Sequence, residues 1–99
     1  MKPAERLAKF DWELYCNKND IESISLFGSY AKDEQTIASD LDLLVKFKKK
    51  ISLLKIVQIQ QDLESQLGMK VDLVTYGALS PHIGRHILES RKMLYEKAG

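Results

Sequence analysis

The sequence predicts an α/β chain of the mixed α+β kind, a small mixed β-sheet with flanking helices. Three observations carry that expectation. Short apolar runs rich in β-formers stand at Ile24 to Phe27, about Asp40 to Phe47 and Lys70 to Tyr76. The segments between them repeat their apolar residues at three and four positions, as helices do. The 99 residues make room for one domain spanning 1–99 and no second.

In chain order, Leu7, Phe10 and Leu14 recur at helical spacing from Ala4 to about Asn17, with Pro3 suited to a first turn. Trp12 and Tyr15 read as core or rim aromatics of that helix. The polar cluster Asn17-Lys18-Asn19-Asp20 breaks it, and Ile24 to Phe27 follows as a buried strand ended by Gly28. Ser29 to about Glu34 reads as a helical turn and Gln35 to Ser39 as a loop. The second strand runs from about Asp40 to Phe47, and Lys48-Lys49-Lys50 is a solvated break. From Ile51 to Leu67, the positions Leu53, Ile56, Ile59 or Gln60, Leu63 and Leu67 predict a helix packed on the sheet, with Gly68 as its C-terminal cap. Lys70 to Tyr76 alternates as a third strand. Ser80-Pro81 reads as an N-cap with proline at the first helical position, and Met93 to Tyr95 as a last short strand.

Composition narrows the function. Hydrophobic residues make up 44% and charged residues 29%, a globular balance, and a formal charge of +1 offers no field for gripping nucleic acid. No direct DNA binding is expected. The single cysteine, Cys16, forms no intrachain disulfide, which fits a reducing cytoplasm, and no zinc spacing is present. The N-terminus lacks an apolar leader and no run approaches the ~20 residues of a membrane helix, so a soluble, unprocessed cytoplasmic chain is expected.

The chemistry concentrates between Phe27 and Val45. Side chains alternate along a strand, so Asp40 and Asp42 share one face while Leu41, Leu43 and Val45 share the other. Two carboxylates on one face repel unless a cation lies between them, and hard divalent ions such as Mg²⁺ favour carboxylate oxygen. If the second and third strands are neighbours, Asp72 joins them. At Gly28-Ser29 the missing Cβ lets a phosphate approach the backbone, and the hydroxyl and following amides can donate to it. A donor-rich turn, a carboxylate pair and a third carboxylate one crossover later match two-metal phosphoryl or nucleotidyl transfer. Lys46 and Arg85 are candidates to assist a triphosphate. His82 and His86 stand four apart on a helix but lack a metal-protease pattern.

Gly28-Ser29-Tyr30-Ala31, then Ser39-Asp40-Leu41-Asp42 with its first Asp twelve positions after the Gly, then Val71-Asp72-Leu73-Val74, resembles the minimal nucleotidyltransferases of the DNA polymerase β-like superfamily. The resemblance covers about Ile21 to Tyr95. It implies the polymerase β-like nucleotidyltransferase fold and two Mg²⁺ ions held by Asp40, Asp42 and Asp72. It also implies ATP as substrate, with Gly28, Ser29 and Lys32 at the phosphates. Many stand-alone members are antitoxins of HEPN-domain toxins, and some transfer AMP to a toxin tyrosine. The implied partner is therefore a HEPN toxin, in a hetero- or homo-oligomer. Members commonly carry Arg-Gly where this chain has Lys32-Asp33; lysine lacks arginine's planar fork and Asp33 sets an anion near the phosphates. Two further readings follow, a non-catalytic antitoxin acting by contact and a small-molecule transferase. The latter would need an acceptor domain that 99 residues do not supply.

Overall fold

The computed structural model describes residues 3–31, 40–79 and 81–97. The predicted loop at 35–39, Lys32, Asp33 and Ser80 lie outside those residues, and the side chains of Ser29 and His82 are likewise not described. Helices α1 (Pro3–Lys9) and α2 (Trp12–Lys18) lead into strand β1 (Ile21–Phe27) and a single helical turn α3 (Gly28–Ala31). Strand β2 (Leu41–Phe47), helix α4 (Leu53–Leu67) and strand β3 (Val71–Thr75) follow. A 3-10 turn (Tyr76–Ala78), helix α5 (Pro81–Ser90) and strand β4 (Lys92–Glu96) complete the chain. The strands form one sheet in the order β3-β2-β1-β4. β2 runs parallel to β3, and β1 antiparallel to both β2 and β4, so the sheet is mixed as expected.

The N-terminal helix is two helices. Asp11 stops the first and caps the second, its carboxylate accepting from the Leu14 amide at 3.0 Å. That bond satisfies an amide which a new helix leaves without an intrahelical partner. Trp12, Tyr15 and Cys16 then turn inward while Leu14 turns out. At the other end of the sheet Gly68 closes α4 in the left-handed conformation, φ 69°, as the sequence predicts.

One face of the sheet holds the core. Ile24, Leu41, Leu43 and Val45 are fully buried there against α2 residues and against Ile59, Leu63 and Leu67 of α4. The apolar stripe of α4 is shorter than its sequence rhythm suggests. Leu53 is 76% exposed, and the helix meets the core only from Ile56 onward. That stretch also closes the sheet's β3 edge, where Gln60 and Glu64 side chains accept from the Leu73 and Val71 amides at 3.2 and 3.0 Å. Outward amides of an edge strand invite another chain, and this pair of side chains blunts the invitation.

Strands β3 and β4 are opposite edges, so the chain from Tyr76 to Arg91 must cross the sheet. Phe27, which stands opposite Asp42, lines a cavity with His86, Ile87 and Ser90, so this part of α5 lies on the carboxylate side. Leu44, which alternation places beside Asp42, is fully buried rather than open to solvent.

Candidate active site

The register of β2 with its two neighbours builds the site. Asp42 stands opposite Phe27 of β1 on one side and opposite Asp72 of β3 on the other. Neighbouring strands lie about 4.8 Å apart, so the two carboxylates start from adjacent backbone positions on one face. Asp40 sits just before β2 and is exposed, as is Asp72; Asp42 is half-buried. Burial raises the Asp42 carboxyl above its ordinary value, and the charges of Asp72 and then Asp40 raise it further. Each influence disfavours the anion, and a cation would relieve all of them. Among the described residues no three acidic, histidine or cysteine side chains draw together as a finished metal cluster. The donor set nevertheless suits a hard divalent ion: three carboxylates, two of them on paired strands, with mutual repulsion already visible at Asp42.

Gly28 completes the arrangement. It turns the chain from β1 into α3 with φ 69°, and a Cβ at that position would collide with the Asp42 carboxylate oxygen. Only glycine lets the turn approach Asp42 this closely. Of the residues implied at the phosphates, Gly28 therefore stands beside the carboxylates, while the Ser29 side chain and Lys32 are outside the described residues.

Lys46 does not face the site. It lies at the far end of β2, its ammonium 3.1 Å from Glu22 and 5.8 Å from the Tyr76 ring centroid. Arg91 donates to the Tyr76 hydroxyl from across the sheet. Alternation put Lys46 on the correct face, but three residues of strand separate it from Asp42. Arg85 is exposed on α5. His86, by contrast, lines a cavity of about 240 Å³ with Phe27, Gly28, Ile87 and Ser90. The sequence offered it only as half of a histidine pair; the crossing of α5 brings it beside the glycine turn.

Carboxylates on paired strands, next to a glycine turn that opens a helix, are the kind of arrangement that transfer of a nucleotidyl group calls for. The polymerase beta nucleotidyltransferase family matches residues 13–98. Protein adenylyltransferase MntA of Thermococcus cleftensis is 39% identical over 75 residues, covering 76% of this chain and 74% of that one. Methanocaldococcus jannaschii MJ0128, whose name provisionally assigns protein adenylyltransferase activity, is 45% identical over 73 residues, 73% of this chain and 74% of that one. A solved structure provisionally assigned as a minimal nucleotidyltransferase is 32% identical, with a TM-score of 0.74 over 90% of this chain and 88% of the other. A toxin-antitoxin structure with AMP-PNP gives a TM-score of 0.76 at 24% identity, over 98% and 75% of the two chains. A tri-AMPylated Shewanella oneidensis HEPN toxin in complex with its MNT antitoxin gives 0.71 at 22% identity, over 97% and 74%. Those last two likenesses speak for the fold alone. The chain belongs to the polymerase beta nucleotidyltransferase family, as a minimal nucleotidyltransferase, and is an enzyme of that class.

Proposed function

We propose that this chain transfers AMP from ATP to a hydroxyl of a partner HEPN-domain protein, a tyrosine's, and so acts as the antitoxin of a toxin-antitoxin pair. The observation that carries the reading is the pairing of Asp42 with Asp72 across parallel strands, beside a Gly28 turn that tolerates no Cβ. The protein acceptor is supported by the names of relatives at 39 to 45% identity. The HEPN partner is supported by the complexes in which chains of this fold are found. A cytoplasmic setting suits ATP, and no helix among the described residues is long and apolar enough to cross a membrane.

Mg²⁺ would be held by Asp40, Asp42 and Asp72, and when bound it neutralises charge on the phosphoryl oxygens that change bonds. The chain's own groups do the rest. Amides that open α3 after Gly28 donate to the β- and γ-phosphates, with the Ser29 hydroxyl and Lys32 added by family resemblance. The acceptor oxygen attacks the α-phosphorus; the bond from that phosphorus to the bridging oxygen breaks, and pyrophosphate leaves. The hydroxyl proton passes to Asp72, a carboxylate on the edge strand and the outermost of the paired two.

Intact mass spectrometry of a HEPN-domain partner tests this, after incubation with the chain, ATP and Mg²⁺. AMP additions are expected, and none with Asp40→Asn plus Asp42→Asn. The Lys32-Asp33 departure from Arg-Gly favours a second reading, neutralisation by contact alone. A complex that forms without AMP addition, and still silences the toxin when both aspartates are replaced, would establish that reading instead.

A further inference from the structure

Helix α5 brings to the transfer site a side chain for which the carboxylates and the glycine turn do not account. A cavity of about 240 Å³ lies between α5 and the end of β1, lined by Phe27, Gly28, His86, Ile87 and Ser90. Gly28 belongs to two neighbourhoods at once. It meets the Asp42 carboxylate so closely that no Cβ fits, and it also lines this cavity. A phosphate held between the Gly28 turn and the carboxylates therefore lies at the cavity's edge, facing the side chains that α5 contributes. Cavities that enclose a drug-sized ligand run to about 300–1,000 Å³. This one is smaller, and takes part of a nucleotide rather than all of it.

The walls differ in what they can offer a phosphate. Phe27 and Ile87 are half-buried and apolar, with no group to give. Ser90 spends its hydroxyl proton on the His86 carbonyl, 2.9 Å away and one turn back in α5. His86 itself is exposed, and among the described residues its ring has neither a hydrogen-bond partner nor an ion pair. A neutral imidazole carries one N–H donor in either tautomer. His86 is thus the lining side chain with a donor to spare, and it stands on a helix rather than on a loop. The basic side chains that alternation or packing brings to this face are engaged elsewhere. Lys46 pairs with Glu22 at the far end of β2, and Arg91 donates to the Tyr76 hydroxyl.

We propose that His86 is a further phosphate-binding residue of the transfer site, donating from α5 to the β- or γ-phosphate of a nucleoside triphosphate held at the Gly28 turn. The proposal rests on the reading that this turn holds the phosphates during nucleotidyl transfer. It adds a contact that neither the turn nor the carboxylates supply. A donor there acts on the half of the triphosphate that leaves. As the α-phosphorus passes to the acceptor oxygen, its bond to the bridging oxygen breaks and negative charge gathers on the departing pyrophosphate. A hydrogen bond to those oxygens stabilises the bound nucleotide and the leaving group alike. Phe27 and Ile87 keep the neighbourhood apolar, which makes a hydrogen bond to charged oxygen stronger than it is in open water.

Titration calorimetry tests this with Mg²⁺ present and two probes, ATP and inorganic tripolyphosphate, which has the phosphates without base or ribose. The variants are His86→Ala, which removes the donor, and His86→Gln, which keeps an N–H at similar reach. The position is exposed, and unchanged melting temperatures without ligand would show that both variants fold. His86→Ala is expected to raise Kd for ATP and for tripolyphosphate by the same factor, about tenfold or more, as loss of a hydrogen bond to a charged group does. His86→Gln should recover most of that loss. Kd values for His86→Ala within about twofold of wild type would overturn the proposal and leave the transfer reading intact. A loss confined to ATP would overturn it by setting His86 against the base or ribose. Equal losses in the two variants would overturn it by showing that ring shape, not a donor, matters. A wild-type chain that binds ATP but not tripolyphosphate would overturn it too, because a contact to phosphates must be felt by phosphates alone. A wild-type chain that binds neither would overturn both this inference and the transfer reading.

Discussion

The two faces of β2 are built on opposite terms. On one, Leu41, Leu43 and Val45 are fully buried among side chains from α2 and α4, and every neighbour gains from their presence. On the other, Asp42 is half-buried beside Asp72 and Asp40, and its own charge is disfavoured by burial and by both neighbours. Alternation along seven residues separates the two regimes by the thickness of one strand. The first face supplies the stability that the second draws down. Sites that must hold a charged ligand are left electrostatically unfinished in its absence, and a compact core has to carry the difference.

The largest effect expected from breaking this comparison lies on the core face. Leu43 sits at the middle of β2 with 0% exposure, paired with Leu26 of β1 and Leu73 of β3. Leu43→Ala removes buried methyl groups where two ordered neighbours cannot close the gap, at about 2–5 kcal/mol. A domain of this size has about 5–15 kcal/mol in total, towards the lower end. Urea unfolding should show a midpoint lowered by a large fraction with an unchanged slope. A loss below about 1 kcal/mol would mean that the face collapses readily and is less tightly specified than its burial implies.

Much of this contrast is written in the sequence, because β-alternation and the spacing from Gly28 to Asp40 are local signals. The strands, α4 with its Gly68 cap, and the meeting of Asp42 with Asp72 all follow from periodicity and a helical crossover. What stayed hidden is what long-range packing decides. Asp11 was legible as an N-cap only to a reader willing to break an apolar rhythm that runs straight through it. Leu53 keeps that rhythm yet stands in solvent, because the sheet ends before the helix does. Leu44 breaks the exposed pattern by being fully buried, and Lys46 keeps the right face but pairs with Glu22. His86 shares a cavity with Gly28, which no spacing between them announces.

A smaller effect is expected at the seam between the faces. Gly28 combines a left-handed backbone with a position where a Cβ meets the Asp42 carboxylate. Gly28→Ala costs about 1–2 kcal/mol from the backbone alone, and it displaces Asp42 or the turn. A shift of about 1 Å in a positioning element can cost on the order of 10²-fold in rate. Transfer to the partner should therefore fall by about that factor while thermal stability drops only modestly. Equal activity in Gly28→Ala would show that the turn is free to move away from Asp42, and would remove the close approach from the account of the site.

The smallest effect has the opposite sign and is the most telling. Asp42's carboxyl binds its proton more tightly in the folded chain than in the unfolded one, where the ordinary value is about 3.9. The stability this provides is fully present below that unfolded value and is lost as pH rises through the raised folded value. At neutral pH the ionised Asp42 works against the fold. Asp42→Asn keeps the shape and removes the charge, so it should raise the melting temperature at pH 7 by a few degrees, where about 1 kcal/mol corresponds to about 4–8 °C. The gap between variant and wild type should shrink as pH is lowered towards 4. Mg²⁺ should stabilise the wild type more than the variant, since only the wild type offers the full carboxylate set. Calorimetric melts across that pH range, with and without Mg²⁺, decide it. A melting temperature lowered by Asp42→Asn at pH 7 would mean that the carboxylate is held by favourable contacts rather than crowded by its neighbours. The two faces of β2 would then be alike in kind.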